Sequence, residues 1–422
     1  MIDTSRITPR SADELADALR DAALRSQAIV PWGAGTLQHL GYPPPPGAVA
    51  LETTALDRIV EYNPADLTIT VEAGTSLDTV QAALGQHRQW LPWDPPAPGV
   101  ATIGGLLAAN VSGPLRLGYG VPRDWALGMR VALGDGRLVK SGGKVVKNVA
   151  GYETHKLHIG ALGTLGVIVE VTFKVWPLPE RMNSLVFVCT AREDAVELAE
   201  QLRTPPLAPV SLVLLSGVQQ LLAGQPAGRP KYHLLAVRFA GVGAAVERQQ
   251  QAAMAAARGA GTATFDLDDE ESRLLWKRIA AFPAPGSSAA LVPGSPVERQ
   301  ELILRAGARP SALALVLGVL ERLAPPGEAP QIVGYAGTGL AYARWHLPDQ
   351  ADPAAISGWL SALRAALAGE EGYVVVEDAP AALRPYLDLW GAPPPTLPLM
   401  RAIKEQWDPH GVLNPRRYTG GL

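Results

Sequence analysis

Three stretches of this 422-residue chain set glycines beside neutral hydrogen-bonding side chains, a combination that lets a ligand come close to the backbone. The first is PWGAGTLQHLG at residues 31–41, directly after the apolar run Ala28-Ile29-Val30. Gly33 and Gly35 flank Ala34 and precede the Thr36 hydroxyl, so successive N–H groups can turn toward an anion. Taken alone, the stretch also reads as a tight turn with no ligand. Two nucleotide loops are excluded by residue type. A dinucleotide fingerprint needs a third glycine where Gln38 stands, and a phosphate loop needs Gly-Lys-Ser/Thr where the chain has Leu37-Gln38-His39. The second stretch, PGVATIGGLLAANVSG at residues 98–113, opens the backbone at Gly99, Gly104 and Gly105. Its Thr102, Asn110 and Ser112 supply neutral groups for a diphosphate or a ring edge. The third is KNVAGY at 147–152 followed by GALGTLGVI at 160–168, where glycines precede a β-branched strand whose backbone could read the edge of a heterocycle.

Other residues carry weaker chemistry. His155 and His158 form an H-x-x-H pair, but a metal site needs a third ligand, and the single Cys189 excludes any multi-cysteine metal or iron–sulfur site as well as an internal disulfide. No metal is expected. Arg344 and Arg384 could hold a carboxylate with two parallel hydrogen bonds, although surface arginines are commoner. Redox chemistry, if any, therefore needs a carried cofactor.

These residues must be positioned by a mixed set of elements. Residues 11–26 have a Ser-x-x-Glu capping box and helical apolar spacing, and 76–84 is a second helix with a serine cap. Strands are predicted at 28–31, 48–52, 67–72 and 166–175, and a hairpin over 128–141 around Asp135-Gly136. The uncharged stretch 95–115 carries prolines, glycines and Asn110, which make it a poor membrane span; it reads as a buried loop and turn region. Without a regular βαβ repeat, the first 178 residues form an α+β domain and not a doubly wound sheet. Pro177-Leu178-Pro179 punctuates the chain. Strands at 184–190, 210–216, 232–240 and 373–377, with helices at 192–203, 244–258 and 354–368, then predict a second α+β unit. Residues 282–296 read as an exposed Pro/Gly/Ser loop.

Composition narrows the function classes. A net charge of −3 with no basic run gives no field for nucleic acid or anionic lipid. The N-terminus MIDTSRITPRSADELADAL has acidic residues and no apolar core, so no secretory signal and a cytoplasmic location are expected, with membrane association only through a partner subunit.

The three stretches, in this order, resemble the vanillyl-alcohol-oxidase-type, or PCMH-type, FAD-binding family: a first Gly-rich loop, T-I-G-G with a downstream A-x-N and G, then G-x-x-G-T-L-G-[IV]-[IV]. The likeness spans roughly residues 10–178 and returns at 400–416, where IKEQWDPHGVLNP is similar to the family's C-terminal I-K-x-x-x-D-P-x-G-x-[LF]-N-P. KVVKNVAGYE, GAGTLQHLG and the short cap most resemble the E-subunit branch of bacterial glycolate oxidase. The resemblance implies a two-lobed FAD-binding domain over 1–178, a smaller α+β cap with an antiparallel sheet over 179–385, and a C-terminal segment, 386–422, that returns to the FAD domain. Gly33, Ala34, Gly35 and Thr36, with Ala101, Thr102, Ile103, Gly104 and Gly105, would wrap the FAD diphosphate, with Trp32 and Pro98 beside them. Asn110, Gly113, Gly151, Gly166, Val167 and Ile168 would line the ribityl, isoalloxazine or adenine parts, and Asn414 would sit near the flavin. Where the family tethers flavin covalently through the first loop, a His occupies the position of Thr36, which implies non-covalent FAD here.

Relatives that oxidise D-2-hydroxy acids carry G-H-x-G-D-G-N-x-H in the cap and a later Glu-His. The matching stretch here is Gly334 to Tyr342, GYAGTGLAY, where both histidine positions are Tyr335 and Tyr342; the later Val376-Glu377-Asp378 keeps an acid and has no histidine. A phenol with an ordinary pKa near 10 is a poor base at pH 7, and the tyrosines read as packing of the cap strand. No catalytic residue is named by the sequence. The resemblance implies an FAD-binding subunit in electron transfer between a catalytic D-type flavin subunit and an iron–sulfur subunit of a glycolate oxidase-like complex acting on a small 2-hydroxy acid. A stand-alone FAD-dependent 2-hydroxy acid dehydrogenase and a flavin-free scaffold are the alternatives.

Overall fold

In the computed structural model, the described residues are 6–144, 151–218, 233–259, 262–285, 300–324 and 329–422. The chain divides into two units. The first takes Met1–Ser112, Val121–Leu178 and Ala392–Leu422; the second takes Gly113–Gly120 and Pro179–Gly391.

The first unit holds two main sheets. Strands β1 (Arg6–Ile7), β2 (Ile29–Trp32) and β3 (Val49–Glu52) make a small parallel sheet in the order β1-β3-β2. Strands β4 (Ile59–Asn63) and β5 (Thr68–Glu72) come next, then the two-residue β6 (Gln89–Trp90), which pairs with β10 (Trp176–Pro177). Strands β7 (Ala126–Ala132), β8 (Leu138–Gly142) and β9 (Val167–Lys174) complete an antiparallel sheet ordered β4-β5-β9-β7-β8. The expected hairpin forms between β7 and β8. Gly136 is needed in its turn because φ there is +82°, a left-handed conformation that side chains resist.

Helix α1 (Ala12–Leu24) packs between the two sheets. Ser11 Oγ accepts from Glu14 N at 3.1 Å and fixes the helix start, while Arg10 N donates to Glu14 Oε2 at 2.8 Å. Its buried face, Leu15, Leu19 and Ala22, meets Ile29 and Leu51 on one side and Ala132, Val167 and Val169 on the other. Helix α2 (Leu77–Gly85) starts at the predicted serine cap, Ser76.

The reading of 95–115 as loop and turn is corrected by α3 (Ile103–Ala109). Gly104 and Gly105 lower local helix propensity and hid it. Thr102 caps its first turn by accepting from Gly105 N at 3.3 Å, and the buried Ile103, Leu106 and Leu107 supply the tertiary packing that overrides propensity. The strand β4 also lacks a sequence signal: its residues are partly exposed and its ladder with β5 shifts register between Ile59 and Glu61.

The second unit is built on one eight-stranded antiparallel sheet. Its strands are β11 (Arg181–Cys189), β12 (Ser211–Ser216), β13 (His233–Gly241), β14 (Ala263–Leu267), β15 (Glu301–Gly307), β16 (Gln331–Tyr335), β17 (Leu340–His346) and β18 (Tyr373–Asp378). They run in the order β14-β11-β13-β12-β16-β17-β15-β18. Helices Arg192–Leu202, Gly243–Gly259, Asp269–Ala281, Leu313–Arg322 and Pro353–Leu367 accompany it. The predicted exposed loop at 282–296 begins with a buried Phe282, and its residues from 286 lie outside the described set. No helix among the described residues is long and apolar enough to cross a membrane.

Candidate functional site

The first unit contains an open cleft of about 700 Å3, counting the open space at its mouth. Its wall gathers residues far apart in sequence. Trp32, Gly33, Ala34, Gly35 and Thr36 come from the turn after β2; Thr102, Gly104 and Gly105 from the start of α3; Gly166, Val167 and Ile168 from the entry to β9; and Asn414 from the C-terminal return. The remaining expected residues are not part of this wall. Ala101 and Ile103 are buried in the protein core, and Pro98 O accepts from Asp78 N at 3.3 Å. Asn110 is the left-handed C-cap of α3 and packs against Gly160, Gly113 belongs to the second unit, and Gly151 is exposed beside 145–150. The Lys147-to-Ala150 part of the KNVAGY motif lies outside the described residues.

Three of these glycines also permit a close approach of neighbouring protein atoms. A Cβ on Gly33 would stand 2.1 Å from Thr102 Oγ1, one on Gly104 2.8 Å from Ala73 Cβ, and one on Gly166 2.5 Å from Val131 Cγ1. Gly104 and Gly166 line the cleft, as the sequence reading expects, and in addition each allows a close approach between protein segments.

Sequence reasoning missed several wall residues: Pro31, Leu37, Gln38, Leu40, Thr53, Ala108, Ala109, Leu162, Gly163 and Arg417. Leu162 and Gly163 sit inside the third glycine stretch, so their spacing was a usable signal. Arg417 follows the Asn-Pro signature by two residues, whereas Thr53 has no sequence signal because only the fold brings it in.

The C-terminal return is anchored by a buried network. Helix Leu397–Trp407 ends at Asp408, whose carboxylate accepts from Lys404 Nζ at 2.5 Å, Val412 N at 3.0 Å and Leu413 N at 2.9 Å. Lys404 also donates to Thr164 O at 2.7 Å and Leu413 O at 2.8 Å. Burial holds the Lys404 ammonium below the usual lysine range, with Asp408 working against that shift. Asn414 N then donates to Ile29 O at 2.8 Å and Asn414 Nδ2 to Leu162 O at 2.5 Å, which ties the return to both β2 and the third glycine stretch.

His155 and His158 lie together in the first unit, near Ser141 and Trp407. The His155 ring meets Ala126 O at 3.1 Å and Ser141 Oγ at 3.2 Å, and His158 stacks on Trp407 with ring centroids 4.8 Å apart. Among the described residues no group of three or more His, Cys, Asp or Glu is placed to hold a metal. Burial, helped by His155, pushes His158 down to about 4. The unfolded chain therefore binds a proton that the folded chain refuses, and stability falls as pH drops from the ordinary histidine value toward 4. His158→Phe, which keeps an aromatic ring against Trp407, is expected to remove about 2 kcal/mol of the stability difference between pH 7.5 and pH 5. Urea unfolding at the two pH values measures this; an unchanged difference would show that His158 is not the group responsible.

In the second unit Tyr335 and Tyr342 are buried on facing strands, edge to face at 5.9 Å. Burial, then Glu377, raises the Tyr342 phenol well above its ordinary range, so it is neutral and no base near pH 7. Arg344 is buried beside Glu301 at 3.5 Å, and its Nη2 donates to Phe282 O and Ala284 O. Arg384 pairs with Asp378 at 2.9 Å. Both arginines thus have structural ties within the unit.

The comparisons with known proteins agree with this geometry. Residues 5–142 match the FAD binding domain, and residues 388–418 match the C-terminal domain of FAD linked oxidases. The glycolate oxidase subunit GlcE of Escherichia coli is 43% identical over 152 residues, 36% of this chain and 43% of that protein. The subunit GlcD of Bacillus subtilis is 33% identical over 210 residues, 50% of this chain and 44% of that protein. The chain therefore spans less than half the length of these two relatives. A D-2-hydroxyglutarate dehydrogenase of Xanthomonas citri is 28% identical over 422 residues, with 96% of this chain and 87% of that protein covered. In fold, p-cresol methylhydroxylase with bound substrate matches 98% of this chain and 88% of its own at a TM-score of 0.73, with 14% identity. The chain thus carries an FAD binding domain and an FAD-linked-oxidase C-terminal domain in the expected order, with FAD as its cofactor, and shares the PCMH-type fold over nearly its whole length.

Proposed function

We propose that this chain carries non-covalent FAD in the cleft of its first unit and transfers electrons within a glycolate oxidase-like complex, between a substrate-oxidising D-type flavin subunit and an iron–sulfur subunit. The FAD-binding part is residues 1–178 with the return 386–422, and 179–385 is the cap. Bound FAD supplies two-electron and one-electron redox chemistry; the chain supplies its cradle. The residues fit that group: a turn of close-approaching glycines, neutral hydrogen-bonding groups at Thr36, Thr102 and Asn414, and one guanidinium, Arg417, in the same wall. Thr36 lines the cleft and His39 is not among the wall residues, which favours an untethered flavin.

The observation that carries the relay reading is the contrast between this cleft and the second unit, where the positions of the imidazoles of D-2-hydroxy acid oxidisers are held by two buried tyrosines packed on each other. The sequence likeness to a glycolate oxidase E subunit supports it. The near full-length likeness to a D-2-hydroxyglutarate dehydrogenase favours a second reading, a free-standing dehydrogenase of a small 2-hydroxy acid.

Purified protein separates the two. The relay reading expects a yellow flavoprotein that stays oxidised when glycolate, D-lactate or D-2-hydroxyglutarate is added anaerobically, and is reduced once the D-type subunit is present. Rapid bleaching by one of these acids alone would overturn it in favour of the dehydrogenase.

A further inference from the structure

Resting on the reading of the cleft as the FAD site, we propose that Arg417 is a positioning residue and the counter-charge for the cofactor's diphosphate. Among the described residues of the wall, Arg417 is the one charged side chain, and it is only 3% exposed. Its guanidinium is fastened to the segment just after the first glycine turn. Nη2 donates to Gln38 O and Leu40 O, each at 2.8 Å; Nη1 donates to Gln38 Oε1 at 2.7 Å; and Nε donates to Tyr42 O at 3.0 Å. Tyr42 N donates back to Arg417 O at 3.1 Å. Gln38 extends the link, because its Nε2 donates to Pro31 O at 3.1 Å, at the entry to the turn. The charge is therefore held in place at both ends of the turn.

The turn itself offers unused donors. Among the described residues, no backbone hydrogen bond is donated by the N–H groups of Gly33 to Leu37, and Gly35 has a φ of +78°, the left-handed step that curls successive N–H groups into an anion-binding concavity. The neighbouring wall is different. At the start of α3, Ile103 N donates to Thr75 O, Gly104 N to Ala73 O and Gly105 N to Thr102 Oγ1, so its first N–H groups are already engaged by the protein. An anion in this cleft is thus met by the turn at 33–37 and by Arg417. The positive pole comes from the last residues of the chain, and cofactor retention requires that the C-terminal return be docked.

The test uses flavin-free full-length protein and two probes, FAD and riboflavin, which differ in the diphosphate and adenosine. Arg417→Gln removes the charge and Arg417→Lys keeps it. Arg417→Gln is expected to weaken FAD roughly 10-fold, through loss of the Coulomb attraction of a charge whose N–H groups are already bonded within the protein, while riboflavin changes less than about twofold. Arg417→Lys is expected to keep most of the preference for FAD over riboflavin. Thermal unfolding of the flavin-free variants checks that they fold, and if Arg417→Gln does not, the FAD-to-riboflavin ratio of Arg417→Lys decides. Equal loss of both probes in the folded variant would overturn the proposal and leave Arg417 a fastening of the loop only; so would unchanged FAD binding in Arg417→Gln. Wild-type protein that binds neither probe would instead sink the FAD reading of the cleft.

Discussion

Asp408→Ala is expected to destabilise the protein by about 3–5 kcal/mol and to release its flavin. The Asp408 side chain is fully buried and collects three donors, so its removal leaves the Lys404 ammonium in a dry site without its carboxylate and strands the N–H groups of Val412 and Leu413. Such a loss is a large part of the whole stability of a typical domain. Flavin is lost for a structural reason. Val412 O accepts from Ile29 N at 2.7 Å and Asn414 N donates to Ile29 O, so the return runs alongside β2 and leads directly to Asn414 and Arg417 in the cleft. Without the Asp408 anchor, these wall residues lose their fixed position. Asp408→Asn, which keeps acceptor capacity and size, is expected to cost less. Urea unfolding followed by gel filtration with flavin counting measures both effects; an Asp408→Ala protein within 1 kcal/mol of wild type and fully yellow would show that the network is dispensable.

The second large effect is at Gly33. A Cβ there would lie 2.1 Å from Thr102 Oγ1, a contact no packed pair tolerates, and Thr102 is itself held as the cap of α3. Gly33→Val must push the turn away from α3 and open the cleft. Overpacking of this kind costs about 1–3 kcal/mol, which, if taken from the cofactor site, is roughly 5- to 150-fold in FAD affinity. The relief is specific. In Gly33→Ala with Thr102→Ala the clashing oxygen is gone and the remaining Thr102 Cβ would be 3.3 Å away, so the double variant should bind FAD better than the sum of the two single losses allows. Additive losses in that cycle would show that the two segments do not constrain each other through this contact.

Much of the local architecture was legible because it follows from local chemistry. Ser11 and Glu14 announce α1, Asp135-Gly136 announces the β7–β8 hairpin, and the β-branched run ending at Pro177 announces β9. The helix α3 was not legible, since its glycines argue against a helix and only the burial of Ile103, Leu106 and Leu107 makes one. Among the cofactor residues, the same division holds. The order of the glycine stretches and the Asn-Pro signature pointed to Gly33, Thr102, Gly166 and Asn414, which share one wall, but not to Gln38, Thr53 or Arg417.

The sequence by itself determined the family frame and the kind of cofactor, because close backbone approach demands glycine at fixed places and leaves a pattern in residue type. Tertiary structure alone decided which of those glycines serve packing, where the Asn110 and Gly151 positions fall, and that the cleft's single charge in the described wall comes from the far end of the chain. A buried guanidinium at position 417 reads in sequence like any surface arginine; its role is set by the carbonyls of Gln38, Leu40 and Tyr42, nearly four hundred residues away, which only folding brings to it.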